Sequence, residues 1–225
     1  MRRNLDLVIF DLDGTLYPAN EEMDRVYPRA AMQLLSRKFN RDLEDVREEF
    51  LQKKEELATI IKGTPTSTLT LFYFNEVGFE EFEAELDRQI DVKSYIKADP
   101  KCIQIIKKIH SAYPIFLYTT NNDKVSTKIL THIGLTEFFP REKRFTFSTV
   151  SRMNLPDSRA KLQYIKPNIK GFLHILERFG VTPERTLMIG DSEVSDILPA
   201  QKLGLQTYHV VDRNSFYSLP DWLGI

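Results

Sequence analysis

The sequence predicts an α/β fold: a doubly wound, parallel five-stranded sheet with an α-helical domain inserted after the first strand. Three observations carry this reading. Five short apolar runs, β-branched and aromatic, end at turn-forming residues and read as buried strands. Helical periodicities separate the later runs, and strand–helix alternation implies parallel strands joined by right-handed crossovers. Residues 17–97, between the first two runs, have helical spacing and no strand of comparable strength.

Each element follows in order. The first strand covers about Leu5 to Asp11 and stops in Asp11-Leu12-Asp13-Gly14-Thr15-Leu16-Tyr17. In the insert, Ala30, Leu34 and Leu35, then Val46, Phe50 and Leu57, then Phe79, Phe82, Leu86 and Ile90 recur at helical spacing, as in a small bundle. Its segment Lys62 to Thr70 is dense in hydroxyls. That density reads either as capping of a helix N-terminus or as a polar patch facing a substrate. Ala98-Asp99-Pro100 closes the insert, because proline disfavours a helix running into it. The expected domains are therefore 1–16 with 98–225 for the sheet, and 17–97 for the insert.

A helix with Ile103, Ile106 and Ile109 on one face leads to a second strand, Pro114 to Tyr118, which ends in Thr119-Thr120-Asn121-Asn122. The next helix carries Val125, Ile129 and Ile133, and Gly134 is placed to end it. Phe145 to Val150 reads as a third strand. The polar stretch Ser151 to Tyr164 reads as a long loop before Lys166-Pro167. Ile169, Phe172, Leu173, Leu176 and Phe179 mark a helix with Gly180 after it. Thr186 to Gly190 is a fourth strand, and Gln206 to Val211 a fifth. Pro199 fits the first turn of a helix starting near Ile197 or Leu198, which leaves Asp191 and Asp196 in the preceding loop or at the helix start. The tail, with Tyr217, Leu219, Trp222 and Leu223, is expected to pack back on the core.

Composition narrows the function classes. A chain of 225 residues, 42% hydrophobic and 28% charged, is that of an ordinary globular protein. A net charge of -1 provides no field for a nucleic acid polymer or an anionic membrane. The single cysteine, Cys102, allows no intrachain disulfide and is expected to be packed rather than reactive. The N-terminal apolar run breaks at Asp11 and Asp13, unlike a signal peptide, so a cytoplasmic enzyme is expected. There is no Gly-x-x-x-x-Gly-Lys phosphate loop and no His-Glu-x-x-His zinc motif. The four histidines, His110, His132, His174 and His209, receive no role.

The chemistry lies at the strand ends. A parallel sheet brings the C-terminal ends of its strands to one edge, where ligands bind. That edge collects Asp11 and Asp13, Thr120, Lys166, and Asp191 with Asp196. Singly, each reads as a turn former, a cap or a surface lysine. Together, the carboxylates would repel without a cation, and all-oxygen ligation points to magnesium. A hydroxyl, an amide and a lysine around such a centre describe a phosphate site. Thr120 and Asn121 also precede a helix whose N-terminal amides favour an anion. One aspartate can attack phosphorus and the other can move the proton.

Asp11 to Tyr17 resembles the first motif of the haloacid dehalogenase (HAD) superfamily in its phosphatase form. Thr120, Lys166 and Gly190-Asp191-x-x-x-x-Asp196 match its other three motifs in order, and the resemblance spans essentially the whole chain. It implies a Rossmann-like core with a helical cap and a phosphomonoester hydrolase acting on a small phosphorylated metabolite. In that reading Asp11 is the nucleophile, forming an aspartyl-phosphate, and Asp13 is the general acid/base. Thr120, Asn121 and Lys166 bind the phosphoryl group, with Thr119 as the rival of Thr120. Asp11, the Asp13 backbone carbonyl and Asp191 hold magnesium, and Asp196 either joins them as a ligand or supports them from behind. The cap and Leu16-Tyr17-Pro18 resemble the pyrimidine 5'-nucleotidase branch, which implies a nucleoside monophosphate. Residues 151–165 are long for the family, and either shape specificity or form a surface excursion. A sugar-phosphate mutase uses the same core residues, and a non-catalytic phosphate-binding protein the same fold. Dehalogenation is disfavoured, because Asp13 is kept and carbon–halogen cleavage in this family does not need it.

Overall fold

The computed structural model describes residues 2–61, 65–75 and 77–225. It divides into two compact units, Met1–Ala19 with Ile96–Ile225, and Asn20–Tyr95. The first unit is built on five parallel strands: β1 (Leu7–Phe10), β2 (Ile115–Tyr118), β3 (Arg144–Phe145), β4 (Thr186–Gly190) and β5 (Gln206–His209). They lie in the order β3-β2-β1-β4-β5. β1 is central. Phe10 pairs with Leu117 on one side and Ile189 on the other, and all four of its residues are buried. A strand covered on both faces needs a continuous apolar run, which Leu-Val-Ile-Phe supplies. The chain moves from the β2–β3 side to the β4–β5 side across β1, and the crevice beyond its carboxyl end is where such sheets bind ligands.

The second unit is wholly helical among its described residues: α1 (Glu21–Asp24), α2 (Val26–Phe39), α3 (Leu43–Ile61), α4 (Ser67–Phe74), α5 (Phe79–Gln89) and α6 (Val92–Tyr95). Its core takes the residues expected from periodicity, with Ala30, Leu34, Leu35, Val46, Phe50, Leu57, Phe82, Leu86 and Ile90 buried and Phe79 half-buried. In the hydroxyl-rich segment, Thr66 is the N-cap of α4, its Oγ1 accepting from the Leu69 amide at 3.2 Å. Lys62, Gly63 and Thr64 lie outside the described residues.

Eight α-helices complete the first unit among its described residues: α7 (Pro100–Ala112), α8 (Asp123–His132), α9 (Phe147–Ser151), α10 (Ser158–Leu162), α11 (Lys170–Phe179), α12 (Leu198–Lys202) and the tail pair α13 (Arg213–Tyr217) and α14 (Leu219–Leu223). Asp99 caps α7 ahead of Pro100, accepting from the Lys101 amide at 3.0 Å. The tail does pack back, with Phe216, Leu219 and Leu223 fully buried and Arg3 stacked on Trp222. Cys102 is buried, and burial pushes its thiol up to about 11.

Three expectations are corrected. The third strand is only two residues long, because Thr146 and Thr149 form a capping box that starts α9 where a longer strand was expected. The stretch 151–165 is not structureless: Asp157 caps α10, and Leu162 and Ile165 are buried. The turn carrying Asp196 is itself helical, a π-helix over Glu193–Ile197 ahead of α12.

Candidate active site

Asp11 follows β1 directly and extends its ladder by one residue, its amide donating to the Ile189 carbonyl at 2.9 Å. The residue is 6% exposed. The chain then turns at Gly14, whose φ of +75° suits glycine. A β-carbon at Gly14 would overlap the Asp191 carboxylate, and one at Gly190 would overlap that of Asp196. Both glycines therefore let carboxylates from after β4 close in on the end of β1.

Asp11, Asp191 and Asp196 each direct a carboxylate oxygen into one cluster, with these atoms within 4.8 Å of one another. Lys166 stands among them, with Nζ 2.5 Å from Asp11 Oδ1 and 2.6 Å from Asp196 Oδ1, its side chain 3% exposed. The segment before Lys166 is held against the sheet by the Tyr118 hydroxyl, which donates to the Tyr164 carbonyl at 2.9 Å. Asp196 Oδ2 accepts from the Ser192 amide at 3.2 Å, and the Thr15 hydroxyl donates to Asp191 Oδ1 at 3.4 Å.

The electrostatics are unbalanced. Burial raises the Asp11 carboxyl well above its usual range, and the charges of Asp196 and Asp13 add to this against the pull of Lys166. Burial and the Asp196 charge likewise raise Asp191. Burial alone would lower the Lys166 ammonium, but the Asp11 and Asp196 carboxylates outweigh it and hold the proton firmly. One ammonium against three converging carboxylates leaves negative charge in a low-dielectric place. A hard divalent cation with oxygen ligands fits this donor set.

Asp13 has a different environment. Its carboxylate accepts from the Tyr17 hydroxyl, from Asn121 Nδ2 at 3.3 and 3.4 Å, and from the Thr119 hydroxyl at 3.4 Å. Desolvation raises Asp13, and the Tyr17 hydrogen bond is the largest of the effects opposing it. Thr119 is oriented in turn by the Asn121 amide, which donates to its Oγ1 at 3.0 Å. Asn121 also fixes the neighbouring loop, its carbonyl accepting from the Phe147 amide at 2.9 Å.

The first unit thus brings together Asp11, Asp13, Asn121, Lys166, Asp191 and Asp196. Thr120 is not in this group. It is half-buried and lines a cleft with Thr119, Phe147 and Tyr164, whereas the hydroxyl that reaches Asp13 is that of its rival Thr119. Tyr17 and Thr15 also join the site without having been singled out for it. His209 reaches the site's backbone, its Nε2 2.8 Å from the Asp191 carbonyl.

A model of the family described as haloacid dehalogenase-like hydrolase matches residues 5–204. None of the curated proteins compared with the chain matches it in sequence. Solved structures similar to it include a HAD phosphatase from Thermococcus onnurineus, 22% identical over 98% of both chains with a TM-score of 0.61. The HAD hydrolase YfnB of Bacillus subtilis, solved bound to magnesium, is 20% identical over 99% of this chain and 100% of its own, with a TM-score of 0.58. A 2-haloacid dehalogenase from Pseudomonas syringae pv. Tomato DC3000 is 16% identical over 98% of both, with a TM-score of 0.59. At these identities the likeness speaks to the fold, which phosphatases and dehalogenases share.

Proposed function

The chain belongs to the haloacid dehalogenase-like hydrolases, and from that premise we propose that it is a magnesium-dependent phosphomonoester hydrolase acting through an aspartyl-phosphate on Asp11. The observation that carries this reading is Asp13. It stands two residues beyond Asp11 and is held by three side-chain donors beside the carboxylate cluster. A dehalogenase has no leaving-group oxygen to protonate, and a phosphatase has one.

Asp11 attacks phosphorus through a carboxylate oxygen. The new oxygen–phosphorus bond forms as the bond to the leaving oxygen breaks, and Asp13 gives that oxygen its proton. Asp13 then takes a proton from water. The water attacks the acyl phosphate, phosphate leaves, and the Asp11 carboxylate is restored. Lys166 offsets charge between Asp11 and the incoming phosphate. Magnesium held by Asp11, Asp191, Asp196 and the Asp13 carbonyl would supply the positive charge that lets an anionic nucleophile approach a phosphate dianion. Asn121 and Thr119, in place of Thr120, contribute the amide and the hydroxyl toward the phosphoryl oxygens.

The substrate class we propose is a small soluble phosphomonoester, with nucleoside monophosphates first in line. The test is release of 4-nitrophenol from its phosphate ester with magnesium and with EDTA, followed by a panel of metabolite monophosphates. Hydrolysis that needs magnesium supports the reading. An inert protein, under conditions where a related HAD phosphatase turns over, ends it. Transfer of the phosphoryl group to a second sugar hydroxyl instead of to water would make the chain a mutase.

A further inference from the structure

Tyr17 is the last residue of the Asp11 to Tyr17 motif, and no step above uses it. The chain after Asp13 curls back on itself, the Leu16 amide donating to the Leu12 carbonyl at 2.9 Å, and Asp13 and Tyr17 form an isolated bridge. The curl buries the Tyr17 ring to 4% exposure and carries its hydroxyl to Asp13 Oδ1.

The two oxygens of Asp13 are held unequally. Oδ1 accepts from the Tyr17 hydroxyl and from Asn121 Nδ2 at 3.3 Å. Oδ2 has only long contacts, 3.4 Å from both Thr119 and Asn121. A phenol that donates to Oδ1, together with the Asn121 amide, takes up the acceptor sites of that oxygen and restrains rotation of the carboxyl. The proton of the neutral acid is then carried on Oδ2, the loosely held oxygen.

We propose that Tyr17 is a positioning residue. Its hydroxyl fixes the Asp13 carboxyl so that Oδ2 is the oxygen that gives a proton to the leaving group. This deepens the phosphatase reading and rests on it. A purely structural role for Tyr17, as a packed ring with a satisfied hydroxyl, predicts a different pattern of effects.

The leaving group separates the two roles. Phenolate is a poor leaving group and needs a proton as it departs, whereas 2,4-dinitrophenolate departs without one. The quantity to measure is kcat/KM, which reports on events up to departure of the leaving group. Tyr17→Phe keeps the ring and removes the hydroxyl. It should lower kcat/KM on phenyl phosphate by about tenfold and on 2,4-dinitrophenyl phosphate by less than about twofold. Asp13→Asn should show the same selectivity, more strongly. Tyr113→Phe is the matched control, because it removes another buried phenol bond, to the Arg3 carbonyl at 3.0 Å, away from the site. It should show no leaving-group selectivity, and thermal unfolding of both phenylalanine variants verifies their folds. Equal losses on the two esters in Tyr17→Phe, or none on either, would overturn the positioning role and leave the phosphatase intact. A wild-type protein that hydrolyses neither ester overturns both.

Discussion

The first unit holds two buried acidic centres that resolve their charge in opposite ways. At the strand ends, Asp11, Asp191 and Asp196 converge on one another with Lys166 alone between them. At the start of α8, Asp123 is 7% exposed and amply compensated. Its Oδ1 accepts the Thr146 hydroxyl at 2.6 Å, and its Oδ2 accepts Arg141 at 3.1 Å and Arg152 at 3.0 Å. Burial would raise Asp123, but the bonds from Thr146, Arg152 and Arg141 outweigh it and lower it. Asp11 and Asp191 are raised. The Asp123 centre is finished by the protein itself and serves to tie α8 to the segment around α9. The strand-end centre is left short of positive charge, and a fold tolerates that where something from outside completes the charge balance.

The largest effect expected from this contrast is on turnover. Asp11→Asn should lower magnesium-dependent hydrolysis by about 10³-fold or more, the usual cost of losing a nucleophile. Asp123→Asn should leave it within about twofold. Steady-state assays on 4-nitrophenyl phosphate decide this, and comparable losses in the two variants would erase the distinction between a working centre and a structural one.

A smaller effect is expected from the metal. A ligand that binds only the folded state stabilises it by about 2.7 kcal/mol at a hundred times its dissociation constant. Saturating magnesium should therefore raise the melting temperature of the wild type, and EDTA should reverse the rise. The rise should be lost in Asp191→Asn and kept in Asp123→Asn. Equal shifts in these two variants would place the cation elsewhere.

How much of this contrast could be read in the sequence depends on the kind of signal. Asp11, Asp13, Asp191 and Asp196 were legible because each follows an apolar run, and a parallel sheet brings such ends together. The choice between Thr119 and Thr120 was not. Every residue of β2 is buried on one face or the other, so the strand shows no alternation from which its facing could be read. The capping box of Thr146 and Thr149 was hidden in a segment whose aromatic and β-branched content favours a strand. No sequence signal marks Asp123 beyond the first turn of α8, because its arginines come from 18 and 29 positions further along the chain. Tyr17 depends on a left-handed turn at Gly14 that spacing alone does not announce.

The finest test is the pH dependence of stability, where the two centres should differ in sign. Asp123 is depressed in the fold, so it stabilises the protein above the unfolded carboxylate value of about 3.9 and loses that contribution as pH falls through its lower folded value. Asp123→Asn should then be less stable than the wild type at pH 7, with the gap closing on acidification. Because Arg141 and Arg152 are largely exposed, the gap is on the order of 1 kcal/mol, discounted for solvent screening. Asp11 is raised, so its contribution is fully present below about 3.9 and is lost as pH rises through its folded value. In EDTA, Asp11→Asn should accordingly be at least as stable as the wild type at pH 7, and any advantage should fade as pH falls toward 4. Urea unfolding of the three proteins in EDTA across this range measures both gaps. If Asn at position 11 destabilised the metal-free protein at neutral pH as Asn at position 123 does, the strand-end carboxylates would be compensated after all, and the charge shortfall that calls for a cation would not exist.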